Sequence, residues 1–531
     1  MLLVPFSLLS LLSSLLLLFL SASPFAETLT LGLDIHHRFS PPVRRWSESN
    51  GKELPGGWLE AGTAEYYTAL AGHDLVVGGI LAESEKGGGA SPGLTFSEGN
   101  ATLKVNSLGF LYYALVTVGT PSMTFLVALD TGSDLFWLPC DCTSCAPTVS
   151  TGNGFGSEIT FYNPNVSMTS QKLSCASNFC EVQSGCSETS QCPYKIVYVS
   201  ADTSSSGFLV EDILYLTTED ERPEIVEAQI VFGCGQVQTG SFLDAAAPNG
   251  LLGLGLEKVS VPSILASKGL TSDSFSMCFS RDGFGRISFG DQGTSDQDET
   301  PLHINQVHPT YNISITGVMV GNTSENMEFS SLFDTGTSFT YLANPTYTFL
   351  TNNFNAQFDA IRHEPDTRVP FEYCYNMSSN DTSMIRVPKV SFKTEGGGML
   401  SISEPGLVVN LQENEFLYCL AVVKSNKLNI IGQNFMTGLR IVFDREKKVL
   451  GWKKFNCYDV EDSNPLPVNP RNSSSNPSVR DNYKPEDTKE NNNDTTKVTS
   501  LTPLSNSPYR NRISLMRLVW PLFLVLLPNI V

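Results

Sequence analysis

The chain has 531 residues, which is more than one hydrophobic core usually serves, so its length predicts two or three folding units. Its 54 acidic residues outnumber its 34 Lys and Arg residues, giving a net charge of −20 at pH 7. This acidic balance argues against nucleic acid as a partner and predicts good solubility at neutral pH.

Residues 1–26 have the layout of a secretory signal peptide. A Leu-rich stretch, LLVPFSLLSLLSSLLLLFL, is followed by small residues, and cleavage is expected near Ser23 to Ala26. The basic residues that usually precede such a stretch are missing. The alternative, an uncleaved transmembrane anchor, needs about 20 apolar residues.

Residues 27–100 precede the first strong strand patterns and are rich in glycine. They contain a basic cluster at Arg38, Arg44 and Arg45, within HHRFSPPVRRW, and the glycine-rich stretch EKGGGASPGL. This poorly patterned region is predicted to be a prosegment that is removed on maturation. A flexible N-terminal extension that stays on the mature protein is the alternative.

Two bodies follow, at residues 101–300 and 301–460. Both are dense in short runs of β-branched and aromatic residues separated by Gly, Ser, Asn and Pro. Runs of this kind are typical of β-strands joined by turns, so we expect a mainly β fold.

One sequence pattern occurs once in each body. VALDTGSD ends an apolar run at Asp130, and SLFDTGTS ends another at Asp334. A carboxylate at the end of a buried strand is costly unless hydrogen-bond donors receive it. The threonine of each motif offers a hydroxyl, and the glycine lets the backbone turn sharply and bring its N–H groups close. The duplication, more than either copy, indicates a shared function.

The two motifs lie one domain's length of chain apart, so we expect two similar lobes that each present one aspartate to a common cleft. Two facing carboxylates cannot both stay charged, and one keeps its proton while the other ionises. The pair then supplies a base that activates water and an acid that protonates the reacting group. This chemistry suits amide hydrolysis without a covalent intermediate. The alternative is two independent strand ends that bond their own loops.

Both motifs resemble the catalytic motif of pepsin-type aspartic endopeptidases, hydrophobic-hydrophobic-Asp-Thr-Gly-Ser/Thr, and residues 105–460 resemble the cysteine-rich, nepenthesin-like plant branch of that family. The resemblance implies an all-β, bilobal fold with the active-site cleft between the lobes. It also implies Asp130 and Asp334 as the catalytic dyad, protein or peptide substrates, a monomer and no cofactor or metal. The loop residues expected to support the dyad are Thr131, Gly132, Ser133, Thr335, Gly336 and Thr337.

Further segments resemble the same family. Residues 251–253 (LLG) and 430–432 (IIG) match the hydrophobic-hydrophobic-Gly segments that buttress each catalytic loop, although ordinary buried strands would have the same composition. Trp137 matches an aromatic residue beside the first catalytic loop, or else is a core tryptophan. The basic cluster of the prosegment is expected to lie over the acidic cleft and hold the enzyme inactive.

The match weakens at the flap, the hairpin that closes over the substrate in this family and carries a tyrosine in a Tyr-Gly-x-Gly-Ser setting. Tyr198 occupies the tyrosine position, but Val199 and Ala201 stand where glycines would be. Residues 202–204 (DTS) are expected to form the turn through side-chain hydrogen bonds instead. An ordinary strand tyrosine is the alternative reading of Tyr198.

All 12 cysteines lie between Cys140 and Cys457, and seven of them crowd into residues 140–192. In a cytosolic chain this spacing would suggest zinc, but behind a signal peptide an even number favours disulfides. Residues 140–192 resemble the disulfide-closed insertion of nepenthesin-like enzymes. Six bridges of undetermined connectivity are expected among Cys140, Cys142, Cys145, Cys175, Cys180, Cys186, Cys192, Cys234, Cys278, Cys374, Cys419 and Cys457.

The sequence also contains N-glycosylation sequons, which are compatible with a glycosylated exterior. Each match taken alone is weak evidence, and the set gains weight from the predicted signal peptide. The sequons begin at Asn100, Asn165, Asn312, Asn322, Asn376, Asn380, Asn472 and Asn493.

The composition changes after Cys457. Residues 461–505 have almost no apolar side chains and are predicted to be a flexible stalk. Residues 506–531 match a removable glycosylphosphatidylinositol (GPI) attachment signal, with Ser505 as the preferred anchor residue and Asn506 second. A permanent single-span helix is the alternative. The expected location is the extracellular face of the plasma membrane.

Two rival functions remain open on the sequence. The first is a catalytically silent binding protein of the same fold, such as a glycanase inhibitor. The second is a structural wall glycoprotein, which would leave the paired Asp-Thr-Gly triplets unexplained. Both triplets keep their flanking Ser133 and Thr337, and this favours the enzyme.

Overall fold

The computed structural model describes ranges of the chain between residues 29 and 457, all within one compact unit, and residues 458–531 lie outside these ranges. The predicted signal peptide, stalk and GPI signal also lie outside them. Within the described ranges, no helix has the length and hydropathy needed to cross a bilayer. The ranges are 29–49, 58–77, 109–146, 161–180, 186–187, 190–198, 203–220, 222–243, 246–304, 310–377, 386–412 and 415–457.

Strands dominate the first half of this unit. They are β1 (Leu31–His37), β2 (Tyr112–Val118), β3 (Met123–Asp130), β4 (Trp137–Ser144), β5 (Gln171–Lys172), β6 (Pro193–Val197), β7 (Ser204–Thr218), β8 (Ile225–Thr239), β9 (Leu251–Gly253), β10 (Ser274–Phe279), β11 (Phe284–Phe289) and β12 (Asp298–Pro301). Three helices accompany them: α1 (Pro41–Ser49), α2 (Ala64–Val77) and α3 (Val261–Ser267).

The second half of the unit also consists mainly of strands. Its strands are β13 (Asn312–Val320), β14 (Thr323–Phe333), β15 (Thr340–Ala343), β16 (Cys374–Met377), β17 (Val390–Thr394), β18 (Met399–Ile402), β19 (Gly406–Gln412), β20 (Glu415–Leu420), β21 (Val422–Ser425), β22 (Ile430–Ile431), β23 (Leu439–Asp444) and β24 (Val449–Lys454). Its helices are α4 (Thr346–Gln357) and α5 (Gln433–Met436). The mainly β fold predicted from the sequence is confirmed.

The described strands form three sheets. The largest has the order β12-β24-β23-β10-β11-β1-β2-β3-β9-β4-β8-β7-β5, with β6 paired to β7. The second has the order β18-β17-β13-β14-β22-β15-β21, and the third is β16-β20-β19. The C-terminal strands β23 and β24 therefore complete the sheet that begins in the first half of the chain.

The predicted prosegment contributes a strand to the largest sheet. Strand β1 pairs antiparallel with β11 on one side and with β2 on the other, placing Leu31 opposite Phe289 and Ile35 opposite Ala114. Both Leu31 and Ile35 are fully buried. Strand β1 is thus part of the core, which the composition of residues 27–100 does not indicate.

The strand that carries each predicted catalytic aspartate has a parallel partner. Strand β3 pairs with β9, so that Asp130 lies opposite Gly253, and β14 pairs with β22, so that Phe333 lies opposite Ile431. Residues 125–129 of β3 are all buried, on both faces of the strand, which explains their continuous apolar run. Each apolar run ends where its aspartate leaves the sheet.

The 12 cysteines form six disulfides, as predicted. Three bridges lie wholly within residues 140–192, and one leaves that segment to tie β4 to β8. The other two close long loops in the rest of the body. The pairs are Cys140–Cys234, Cys142–Cys145, Cys175–Cys186, Cys180–Cys192, Cys278–Cys457 and Cys374–Cys419.

Four of the predicted glycosylation sites lie in the described ranges. Asn165, Asn322 and Asn376 are exposed, whereas Asn312 is half-buried and its amide donates to Thr310 Oγ1 over 2.6 Å. Glycosylation of these residues stays a prediction. The remaining sites, Asn100, Asn380, Asn472 and Asn493, lie outside the described residues.

Candidate active site

The two Asp-Thr-Gly loops have the same hydrogen-bond pattern. Asp130 Oδ1 accepts from Gly132 N over 2.9 Å, and its Oδ2 accepts from Ser133 Oγ over 2.6 Å. Asp334 receives the corresponding pair of donors from its own loop, Gly336 N over 2.8 Å and Thr337 Oγ1 over 2.6 Å. Every carboxylate oxygen therefore has one donor and keeps a lone pair for a proton or a water molecule.

The threonines of the two motifs join the loops. Thr131 Oγ1 and Thr335 Oγ1 lie 3.4 Å apart, and both side chains are buried. This contact bridges residues from the two halves of the chain. It brings together the two aspartates that the sequence predicts to act as a pair.

The segments LLG and IIG buttress these loops. Leu254 N donates to the Asp130 carbonyl over 2.9 Å, and Asp334 N donates to the Ile431 carbonyl over 3.1 Å. A Cβ at Gly253 would lie 2.3 Å from the Asp134 carbonyl carbon, and one at Gly432 would lie 2.1 Å from the Phe339 carbonyl oxygen. Only glycine allows the backbones to pack this closely.

Desolvation sets the charge state of the pair. Burial raises the pKa of Asp130 to about 6, the donors Ser133 and Gly132 lower it, and the charge of Asp334 raises it further. Burial also raises the pKa of Asp334, against its own two donors. As whole residues, Asp130 and Asp334 are half-buried. Interacting carboxyl groups titrate as a pair, and one proton is held in common over an acidic range of pH.

The predicted flap residue lies beside the first catalytic loop. Tyr198 follows β6, and its hydroxyl accepts a hydrogen bond from Trp137 Nε1 over 2.9 Å. Burial raises the pKa of Tyr198, and the charge of Asp130 adds to this effect. The Tyr198 N–H donates to the Thr203 carbonyl over 2.9 Å, which closes the hairpin. Trp137 is fully buried, as a core tryptophan would be, and it also contacts the predicted flap tyrosine. The atypical residues Val199 and Ala201 lie outside the described ranges.

The sequence reasoning missed a group of residues on α2. Asp74 and His73 are fully buried, and Asp74 Oδ1 accepts from Ser338 N over 2.6 Å, directly after the second catalytic motif. The charge of Asp74 raises the pKa of Asp334, and His73 lowers it. A helix signal exists in the sequence, because the Thr63 hydroxyl caps α2 by accepting from Tyr66 N over 3.2 Å.

The predicted role of the basic cluster is wrong for two of its three members. Arg44 and Arg45 are exposed on α1, and Arg44 pairs with Glu48 over 2.8 Å. Arg38 is buried, with its guanidinium over the Phe39 ring. An acidic side chain, Asp74, lies next to the catalytic loop, and Arg38 is within electrostatic range of it.

The described cysteines do not offer a metal site. Two groups place potential ligand atoms close together, Cys175 with Cys180 and Cys186, and Cys140 with Asp141 and Cys234. All of these cysteines are disulfide-bonded and have no thiolate to offer.

The comparisons with known proteins agree with this geometry. Two family profiles match, Xylanase inhibitor N-terminal over residues 112–291 and Xylanase inhibitor C-terminal over residues 310–454. Aspartyl protease family protein 1 of Arabidopsis thaliana is 48% identical over 450 residues, which cover 84% of this chain and 85% of that protein. The chain belongs to the plant aspartyl protease family.

Other members of the aspartyl protease family are more distant. Aspartic proteinase-like protein 1 of Arabidopsis thaliana is 37% identical over 80% of each chain. Aspartic proteinase nepenthesin-2 of Nepenthes gracilis is 25% identical over 65% of this chain and 78% of its own. The crystal structure of conglutin gamma, a basic 7S globulin from lupine seeds, matches with a TM-score of 0.50 and 20% identity over 66% of this chain and 93% of that one. That match shows that the present chain has the pepsin-like fold.

Proposed function

We propose that the protein is an aspartic endopeptidase that hydrolyses peptide bonds of proteins by water attack, assisted by the Asp130/Asp334 dyad. The observation that carries this proposal is the symmetric pair of buttressed aspartates, whose loops meet through Thr131 and Thr335. The ionised member takes a proton from water while the protonated member donates to the carbonyl oxygen of the substrate. Gly132 and Gly336 hold the carboxylates in position through their backbone N–H groups.

The test is proteolysis of a denatured protein by variants of each aspartate. Asp130→Asn and Asp334→Asn should each reduce the rate by about 10²–10⁴-fold or more, because either change removes half of an acid–base pair. Asp141→Asn and Asp359→Asn are matched controls, since both residues are exposed and each lies in the same half of the chain as its catalytic counterpart. Near-normal turnover in either catalytic variant would refute the proposal.

A catalytically silent binding protein is the second candidate. The observation that favours it is the description of the two matching profiles, which name xylanase inhibitors. Complete Asp-Thr-Gly motifs with both hydroxyl donors argue for the peptidase instead, because a binding surface does not need paired carboxylates with complete donor sets. The same experiment distinguishes the two candidates. A catalytically silent protein shows no proteolysis in the wild type or in any variant, whereas a peptidase shows it in the wild type and in the two control variants.

The nepenthesin-like branch is proposed on the cysteine-dense segment 140–192, which holds three internal disulfides and one outgoing bridge. The same disulfides support passage through an oxidising compartment, as does the layout of residues 1–26. We therefore propose a secreted, monomeric glycoprotein. Peptide mapping of the secreted protein with glycosidase treatment tests this, and unmodified Asn165 and Asn322 throughout would contradict glycosylation at the exposed sites.

Surface tethering through a GPI anchor is proposed on the order of features after the catalytic body: polar stalk, small residues at Ser505, spacer and apolar tail. Phosphatidylinositol-specific phospholipase C should release the protease from intact cells. Recovery of the peptide 518–531 from mature surface protein by mass spectrometry would support a spanning helix instead.

Residues 27–100 are proposed to act as a prosegment that keeps the protease inactive until it is removed. The support is the position of α2, which lies against the second catalytic loop through Asp74. N-terminal sequencing of the active protein tests this. Full activity in a chain that begins at Glu27 would refute it.

A further inference from the structure

Asp74 on helix α2 has a complete set of donors from the second catalytic loop. Its Oδ1 accepts from Ser338 N over 2.6 Å, and its Oδ2 accepts from Phe339 N over 3.0 Å and from the Tyr341 hydroxyl over 3.1 Å. The side chain of Asp74 is fully buried. Two backbone N–H groups and one hydroxyl thus converge on one carboxylate, and such charge-assisted hydrogen bonds are the strong ones.

The chemistry of this contact is specific for an anion. A buried carboxylate is costly unless it is fully hydrogen-bonded. Here the donors are 264 to 267 residues away in the sequence. His73 supports the carboxylate from the same helix, with its Nδ1 3.2 Å from Asp74 Oδ1. An amide in place of the carboxylate would direct an N–H group at one of these donors.

A second anchor lies on the same helix. The Tyr67 ring packs against Phe339 and Phe371, with ring centroids 6.3 Å and 6.2 Å away. Thr68 Oγ1 donates to the Arg368 carbonyl over 2.9 Å, so a polar contact flanks the aromatic one. Together with Asp74, these contacts fix α2 against the second half of the chain, beside the second Asp-Thr-Gly loop.

The chain that leads into α2 also binds this half of the body. Asn410 N in β19 donates to the Gly62 carbonyl over 2.7 Å. Strand β1, earlier in the same segment, is part of the largest sheet between β11 and β2. Residues 29–77 therefore contact both the sheet of the first half and the catalytic loop of the second.

We propose that Asp74 is the inhibitory residue of the prosegment, acting as an internal carboxylate ligand of the loop Ser338–Tyr341. This inference rests on the proposed peptidase function and names how that site is regulated. While Asp74 holds its three donors, α2 stays over the second catalytic loop and a substrate cannot lie along it. The inhibitory contact is therefore acidic and lies beside the dyad, in place of the basic cluster expected from the sequence.

The experiment compares Asp74→Asn with Glu65→Gln in the full chain. Both changes remove one negative charge from α2, but Glu65 is exposed. A recognition sequence for an unrelated protease is inserted between Gly88 and Gly89, so that the prosegment can be cleaved at will. Activity on a fluorogenic peptide is measured before cleavage and after the prosegment has been separated.

The expected result is that uncleaved Asp74→Asn is at least about tenfold more active than the uncleaved wild type, whereas Glu65→Gln is unchanged; tenfold corresponds to about 1.4 kcal/mol. After separation of the prosegment, all three proteins should have the same activity. Tyr341→Phe removes one donor and leaves the helix sequence intact, so it should activate the uncleaved chain by a smaller factor.

A second readout does not depend on catalysis. In the Asp130→Asn background, hydrogen exchange at the Ser338 and Phe339 amides should accelerate about tenfold in Asp74→Asn and stay unchanged in Glu65→Gln. Faster exchange without a gain in activity would overturn the inhibitory role, and so would equal activity of uncleaved Asp74→Asn and wild type when separation activates both. Circular dichroism shows whether the body stays folded after separation. A folded body that gains no activity in any of the proteins refutes the peptidase proposal, and the inhibitory role with it. A body that unfolds on separation refutes the inhibitory role alone, because the segment then cannot be one that is removed on activation.

Discussion

Each carboxylate of the proposed dyad has its hydrogen-bond donors among the three residues that follow it, so the pair can be recognised in the sequence. Tyr198 is different, because its partner Trp137 comes from another strand. The hydrogen bond between them joins the flap to the strand that follows the first catalytic loop. It also satisfies the indole N–H of a fully buried tryptophan, which would otherwise lose a hydrogen bond.

Tyr198→Phe should therefore lower kcat/KM about tenfold, since an unmade buried hydrogen bond costs about 1–3 kcal/mol and the flap loses its fixed position. The matched control is Tyr215→Phe on β7, whose hydroxyl lies a long 3.4 Å from Thr120 Oγ1. Steady-state kinetics on one peptide substrate compare the two. Equal values of kcat/KM for Tyr198→Phe and wild type would show that the flap does not depend on this bond.

At the same scale, Asp74 shows what the sequence does not predict. Nothing in the sequence distinguishes it among 54 acidic residues, because its donors are backbone N–H groups that any residue would supply. Only the path of the chain brings α2 to the loop Ser338–Tyr341. The basic cluster was the more visible feature in the sequence, and Arg44 and Arg45 proved to be exposed.

At the scale of elements, strand β3 can be predicted from its apolar run, whereas β14 (TSENMEFSSLF) is mostly polar. The glycines of LLG and IIG follow from close backbone packing. Strand β1 could not be predicted in the same way. Its sequence, LGLDIHH, contains polar residues because Asp34 pairs with Arg286 over 2.7 Å inside the sheet. Disulfide connectivity was also beyond the sequence, since the order of cysteines does not fix their distances in space.

The disulfides should differ in their contribution to stability. Cys278–Cys457 closes a separation of 179 residues and Cys142–Cys145 closes one of 3. In the chain-entropy model, serine replacement of the first pair should lower the free energy of unfolding by about 5 kcal/mol, and replacement of the second by about 1.6 kcal/mol. Denaturant unfolding of the two double variants measures the difference. Equal losses would contradict the entropic account.

At the scale of the whole molecule, the two-lobed fold follows from the repeated motif, because each copy needs its own strands and its own buttress. The sequence does not predict that β1 and α2 contact both halves of the body, β1 in the largest sheet and α2 at the second Asp-Thr-Gly loop. Leu31 and Ile35 complete the core of the largest sheet, and their removal would expose the facing edges of β11 and β2.

A chain synthesised without residues 27–77 should therefore be secreted in much lower yield and should unfold at a lower temperature. Co-expression of residues 27–77 as a separate chain should restore part of the yield. Deletion of residues 470–531, which lie outside the described ranges, is the control and should leave the folded body intact. Wild-type yield without residues 27–77 would show that β1 is dispensable for folding.

The measurement that tests the central claim most directly is kcat/KM for peptide cleavage as a function of pH, with the prosegment removed. Asp130 has its pKa raised to about 6 by burial and by Asp334, whose own pKa is raised as well. The one-proton form of the dyad is populated below the upper pKa and is lost as pH rises through it, so activity should be high in acid and fall above about pH 6. Asp334→Asn should be inactive over the whole range. Activity that rises through neutrality to an optimum above about pH 8, or that persists in Asp334→Asn, would contradict the dyad.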